Sequence, residues 1–319
     1  MRLHSEAWIL SVGVMAAAAG TVPAQGYPNR PIRVVTSEAG GGNDRMARVL
    51  AQAMSVSMGQ QVTVDNRPAG VTPGEIVSKA PPDGHTLLVY NNSVWIAPLI
   101  EGGGQYDAVR DFAPISELAR TPNVVVVKAS SPARSVPELI AIAKANPGLK
   151  FGSSGAGATA RLAGELFAAM ASVKLVHVGF KGNAASVNAL LADEVQVLFP
   201  TASSAMPLVL SGKARALGVT STEPSPLAPG VPPVAESGLP GYASTTIFGA
   251  FAPAATPRAV VARLNDEMVR FLGAPGMKEK LAGLGMDAVG SSPQEFAVTV
   301  KSELARMTKV IRDAGIRVE

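Results

Sequence analysis

The stretch TSEAGGGNDRMARVL, Thr36 to Leu50, sets three consecutive glycines between a β-branched apolar run and apolar residues that recur at helical spacing. A strand, a glycine loop and a helix in that order open an α/β layer, and two kinds of chemistry commonly use such a loop. A phosphate loop follows its glycines with lysine and serine or threonine, which hold the phosphate and magnesium. Here Asn43-Asp44-Arg45 follow, so that reading fails. A dinucleotide fingerprint spaces its glycines as G-x-G-x-x-G, which the adjacent triplet Gly40-Gly41-Gly42 does not supply. Two readings stay open: backbone N–H groups brought close to a ligand at a helix N-terminus, or a tight turn that needs positive φ.

Outward from this unit, short β-branched runs alternate with helical patterns, the signature of parallel α/β architecture. Strands are expected over 32–36, 61–66, 86–91, 124–128, 150–152, 174–178, 195–199 and 216–220, with helices over 44–58, 136–145, 158–170, 183–192 and 206–211. Ser135 ahead of Val136-Pro137-Glu138 is a helix start, because proline in the first turn forfeits no hydrogen bond. The segment 223–242 is dense in proline and glycine and reads as an irregular connection, while TTIFGAFA, 245–252, reads as a strand. Helices over 257–272, 275–284 and 293–314 close the chain. The runs 121–128 and 245–252 offer two places where the chain can cross between lobes. The expected plan is a discontinuous first lobe, 25–122 with 247–319, and a continuous second lobe, 123–246.

The N-terminus carries Arg2 and His4, then an apolar run over 7–20, then Val22-Pro23-Ala24. This is the pattern of a secretory signal peptide over 1–24, too short in its apolar part to span a bilayer. No later stretch is long and apolar enough to span. The chain has no cysteine, which excludes disulfides, thiolate metal sites, cysteine nucleophiles and a lipid-anchored N-terminal cysteine. Export without an anchor or disulfides points to a bacterial periplasm. The formal charge of +4 is spread along the chain with few aromatics among the basic residues, which argues against a nucleic-acid partner. Such a mild excess solubilises, and it also favours the approach of small anions.

A second small-residue loop, FGSSGAGATARLAGELF over 151–167, narrowly misses the nucleophile elbow G-x-S-x-G, because Ala156 stands where the second glycine belongs. Apart from His4, the histidines are His85 and His177, far apart and without carboxylates at ligand spacing. Neither a catalytic triad nor a metal site can be assembled from them, and no cofactor is implied. What recurs instead is a polar, small-residue loop just after several of the strands. In open α/β sheets, ligands bind in the crevice beyond the carboxyl ends of the strands, where such loops converge. The candidates for ligand contact are Ser37, Glu38, Gly41, Gly42, Asn43 and Asp44 in the first loop, and Asn92 and Ser93 in the next. Ser153, Ser154, Gly155, Ala156 and Thr159 follow the fifth strand, with Lys181 further on and Thr201 and Ser203 after VQVLF. Hydroxyls, amides and helix N-termini suit an anion.

Several short motifs then line up in order. They include Tyr27-Pro28 through Pro31-Ile32-Arg33, Gly40-Gly41-Gly42-Asn43-Asp44 with Ala47-Arg48, Asn66-Arg67-Pro68 and Pro82-Asp83-Gly84. Asp111-Phe112-Ala113-Pro114, Leu162-Ala163-Gly164-Glu165-Leu166-Phe167, Lys181-Gly182, Gly212-Lys213-Ala214-Arg215 and Gly238-Leu239-Pro240-Gly241-Tyr242 continue the series. Taken together across the mature chain, the sequence resembles the periplasmic solute-binding receptors of tripartite tricarboxylate transporters, the Bug family. The resemblance implies a two-lobed α/β periplasmic-binding-protein fold of the Venus flytrap, type II-like kind, with two crossover connections. It implies no catalysis, and a small organic anion as ligand: a di- or tricarboxylate, an aromatic carboxylate or an acidic amino acid. It further implies delivery of that ligand to membrane permease subunits. A monomer is expected.

Some positions depart from the family's pattern. The first loop is one residue short and carries Glu38, which either points to solvent or accepts from a donor on the ligand. Arg161 replaces a frequent histidine, and either pairs with a ligand carboxylate through its two-pronged guanidinium or lies on the helix surface. Phe180 replaces a frequent tyrosine before Lys181, and Phe199-Pro200-Thr201 replaces F-D-N. The rival reading is a periplasmic ligand-sensing subunit that presents its closed form to a two-component sensor kinase.

Overall fold

The structure is a computed structural model, which describes residues 26–68, 70–101, 105–153, 159–180 and 183–313. The expected signal peptide lies outside the described residues, and no described helix is long and apolar enough to cross a membrane. β1 (Ile32–Thr36) leads through the glycine loop into α1 (Gly42–Met58), then β2 (Val62–Asn66), α2 (Thr72–Ser78), β3 (Thr86–Asn91), α3 (Ser93–Glu101) and the long β4 (Phe112–Pro122). A single residue, Asn123, separates β4 from β5 (Val124–Lys128), which opens a second sheet. That lobe continues with α4 (Val136–Ala145), β6 (Leu149–Ser153), α5 (Thr159–Ala171), β7 (Leu175–Gly179), α6 (Asn183–Leu191), β8 (Val197–Leu198), α7 (Ala202–Leu210) and β9 (Ala214–Val219). The chain returns to the first sheet with β10 (Thr245–Pro253), followed by α8 (Arg258–Leu272), α9 (Met277–Gly283), β11 (Asp287–Ala288) and α10 (Pro293–Asp313).

The sheets run β11-β4-β10-β3-β1-β2 and β7-β6-β8-β5-β9. The expected parallel pairs form: β1 with β2 and β3, and β6 with β7 and β8. Besides the short edge strand β11, each sheet holds one long antiparallel strand that alternation alone does not predict, β10 in the first and β5 in the second. These are the strands that enter a lobe from the other one. They start at the end of the sheet where the parallel strands finish, so they must run the opposite way. The same constraint puts the carboxyl ends of β1 and β3, and of β6 and β8, on the side where the lobes meet.

β1 shows why a strand of this sheet carries apolar residues on both faces. Val34 points into one core with Met46, Leu50 and Met54 of α1 and Leu264 of α8, while Val35 points into the other with Trp95 of α3 and Phe296 and Val300 of α10. Both faces are covered by helices, so both phases of the alternation are apolar. The second lobe repeats this arrangement, with Phe151 and Phe167 under α4 and α5 on one face and Leu190 and Leu198 under α6 and α7 on the other. The helix start at Ser135 forms, its Oγ accepting from the Glu138 N–H.

Four elements are absent from the sequence reading, β4, α2, α3 and β11. In β4 the ladder with β10 shifts register twice, and Glu117 is buried against Arg120, so neither alternation nor apolarity marks it. In α3 the run Val94-Trp95-Ile96-Ala97 is buried all round, which erases helical periodicity.

Candidate functional site

The glycine triplet divides by role. Gly40 has φ of +85° and makes the turn. Gly42 is small for a different reason: a Cβ there would lie 3.0 Å from Phe248 Cζ of β10. Gly41 is the N-cap of α1, in extended conformation and exposed, with no side chain capping the helix. The turn reading therefore holds at Gly40, and next to it Gly41 leaves the N-terminus of α1 uncapped by a side chain.

Asp44 organises this loop. Its carboxylate accepts from the Gly40 N–H at 2.8 Å, from Asn66 Nδ2 at 2.8 Å and from Arg48 Nε at 3.0 Å. Burial pushes the carboxyl up, but the hydrogen bonds from Arg48, Gly40 and Asn66 outweigh it and hold Asp44 below the usual carboxylate range. Asn66 also donates to Ser37 O at 2.6 Å, and Asn43 Nδ2 donates to Ser37 Oγ at 3.0 Å. Ser37, Asn43 and Asp44 are all buried, whereas Glu38 is exposed on the loop. At the end of β3, Asn92 Nδ2 donates to Thr245 O at 3.2 Å, and Ser93 opens α3. The Oδ1 atoms of Asn43 and Asn92 are buried without a hydrogen-bond partner among the described residues.

In the second lobe, Ser153 ends β6 and is buried, its Oγ 2.7 Å from His177 Nε2 on β7. Ser154, Gly155, Ala156 and Lys181 lie outside the described residues. Arg161, in the first turn of α5, is not on an open helix surface: its side chain is 16% exposed, and its Nε lies 3.6 Å from Glu165 Oε1, too long for a hydrogen bond. Desolvation pushes the Glu165 carboxyl up despite the attraction of Arg161. Phe180 donates its N–H to Ser153 O at 2.9 Å and packs its ring against the α6 and α7 core. Thr201 holds the N-cap position of α7 without a side-chain capping bond, and its Oγ1 lies 3.2 Å from Ser203 Oγ.

A serine hydroxyl in contact with an imidazole is half of a nucleophile–base pair. Here burial, and then the neighbouring Arg161 cation, pull His177 down from 6.5 to about 4, which makes it a weak base, and Ser153 is 1% exposed. The pair ties two strands together. One pH dependence follows. Between about 6.5 and about 4 the unfolded histidine takes up a proton that the folded one refuses, so His177 lowers stability as pH falls through that window. A histidine ring NMR titration is expected to place His177 near the low end, and an inflection near 6.5 would contradict its placement.

The crossings that bring the lobes together are braced. Thr220 Oγ1 accepts from the Asn123 N–H at 2.8 Å, the Thr220 N–H donates to Asn123 O at 2.9 Å, and the Ser244 N–H donates to Thr220 O at 2.9 Å. Across them, Thr246 Oγ1 of β10 donates to Thr159 Oγ1 of α5 at 2.9 Å. Thr159, a candidate for ligand contact, thus links α5 to β10 beside the crossings. Asn66, Asn123, Thr246 and His177 are the organising residues that a search for ligand-contact loops passes over. Asn66 stands in the motif Asn66-Arg67-Pro68 at a strand end, and Asn123 and Thr246 lie in the two crossing runs.

Residues 46–316 match the family described as "Tripartite tricarboxylate transporter family receptor". A relative from Pseudomonas sp. strain P51, the "UPF0065 protein in tcbD-tcbE intergenic region", is 41% identical over 290 residues, spanning 89% of this chain and 86% of its own. Among solved structures, "R. palustris Rpa4515 with adipate" superposes with a TM-score of 0.82 at 34% identity, covering 92% of this chain and 100% of that one. MatC from Rhodopseudomonas palustris with bound malate superposes with a TM-score of 0.79 at 27% identity, covering 89% and 100%. The two lobes are those of periplasmic solute-binding proteins, and such proteins are receptors, not enzymes. The chain belongs to the tripartite tricarboxylate transporter receptor family.

Proposed function

We propose that this receptor captures a small organic anion with at least one carboxylate between its lobes, in the periplasm after cleavage of residues 1–24, and delivers it to the permease of a tripartite tricarboxylate-type transporter. The observation that carries the reading is Arg161, a mostly buried guanidinium at the start of α5 whose Nε is buried without a close hydrogen-bond partner and whose ion pair with Glu165 is a long one, at 3.6 Å. A cation in that position is incompletely compensated until an anion arrives. The first lobe offers its side of the site through the exposed cap Gly41 and the positive end of α1, held in shape by Asp44 and Asn66. The adipate and malate of the neighbouring structures are the ligand class that such a site suits.

The mechanism is a population shift. Open and closed arrangements interconvert, and a ligand that touches both lobes favours the closed one by its differential affinity. A thermal-shift screen of mono-, di- and tricarboxylates on the mature protein is expected to give at least one stabilising compound, worth about 2.7 kcal/mol at a hundred times its Kd. A broad panel that leaves the melting temperature unmoved would count against a carboxylate ligand.

A further inference from the structure

Away from the braced crossings, the lobes also touch where the turn after α9 meets α7. Gly285, in the turn between α9 and β11, has φ of +74° and lies against Ser203 near the start of α7 in the other lobe. A Cβ on Gly285 would sit 2.1 Å from Ser203 Cβ, 2.6 Å from its Oγ and 3.0 Å from its Cα. Rotating the serine side chain moves only the Oγ, so an added methyl could be accommodated only by moving backbone.

Neither backbone is loose. The Gly285 N–H donates to Ala282 O at 2.8 Å and the Met286 N–H to Leu281 O at 2.9 Å, with Met286 buried in the core under α1. The Met286 Cε also comes within 3.7 Å of where a Cβ on Gly42 would be, so the turn leans on the first residue of α1. On the other side, Ser203 lies between the buried Ala202 and Ala205, with its Oγ within reach of the Thr201 hydroxyl. The contact also lies across the first sheet from the other links between the lobes. There, Leu162 of α5 packs into the core under α10, Val310 of α10 touches the cores of both lobes, and Arg306 Nη1 donates to Ala243 O at 2.8 Å.

We infer that the Gly285–Ser203 approach is a closure contact: the bare backbone at position 285 sets how far the lobes shut, and thereby the affinity for a ligand that Gly285 itself need not touch. The inference rests on the reading of a ligand clamped between the lobes, and Gly285 is in it a positioning residue. The test uses spin labels on Val56→Cys of α1 and Leu210→Cys of α7, both highly exposed and in different lobes of a chain without native cysteine. In that background Gly285→Ala is expected to lengthen the mean interlobe distance and to weaken binding of the best carboxylate from the panel about tenfold, by disfavouring the closed state.

Alanine at a positive φ is strained wherever it stands, so a second variant separates strain from closure. Ser203→Gly added to Gly285→Ala removes the opposing Cβ and keeps the strain, and it is expected to restore the wild-type distance; because Ser203 is itself a candidate ligand contact, the double variant is read by distance alone. A double variant whose distance stays as long as that of Gly285→Ala, or a single variant with unchanged distance, would overturn the inference. The distance measurement needs no ligand, so a panel without a binder would count against the carboxylate reading and leave the closure contact to be decided by the labels.

Discussion

Replacing Asp44 with alanine is expected to destabilise the receptor by about 3 kcal/mol and to weaken ligand binding at least tenfold, because it strips an acceptor from three donors at once. The Asp44 side chain is 4% exposed, and the Gly40 N–H, Asn66 Nδ2 and Arg48 Nε all point at it. Without it, the Gly40 turn and the Asn66 link to Ser37 lose the group that joins them. The pH dependence has a definite sign. Asp44 titrates below its unfolded value, so its contribution is fully present above about pH 4 and is lost as pH falls through the lowered folded value. Urea denaturation should therefore show the gap between wild type and Asp44→Ala at neutral pH and a smaller gap in strong acid. Asp44→Asn, which keeps one acceptor oxygen, should fall between them. An alanine variant as stable as wild type would mean that the loop is held by something else.

Arg161→Ala is expected to reduce affinity for a dicarboxylate about a hundredfold, the scale on which removing one member of a buried charge pair acts. Arg161→Lys keeps the charge but loses the planar fork, and should recover only part of the loss. A readout independent of ligand accompanies this one. The Arg161 cation is one cause of the low His177 value, second to burial, so its removal should let the His177 titration rise while leaving it below 6.5. Unchanged binding with a shifted histidine would show that Arg161 is placed as described but serves the lobe and not the ligand.

The fold was legible where the pattern was clean. The strands at 32–36, 86–91 and 124–128 and the helix at 136–145 form with the expected bounds, because both faces of each sheet are covered and the turns carry glycine, serine or proline. β4 was hidden because Glu117 and Arg120 satisfy one another inside a strand whose register shifts twice. α3 was hidden because a helix buried on all sides shows no stripe. At the site, the glycine triplet and Ser37, Asn43 and Asp44 could be picked out from their place after a strand. The partnerships that give them shape could not, since Asp44 with Asn66 and Ser153 with His177 join residues more than 20 positions apart. Gly285 lies in the ordinary-looking turn LGM, and its role shows only once the other lobe is beside it.

The central claim is that the two lobes hold one small carboxylate. Native mass spectrometry of the mature protein, freshly purified and again after incubation with the carboxylate panel, tests it most directly. The account predicts a single added mass equal to that of one small organic acid, lost on denaturation and greatly reduced in Arg161→Ala. The bare chain mass under every condition, or an adduct that Arg161→Ala retains in full, would contradict it.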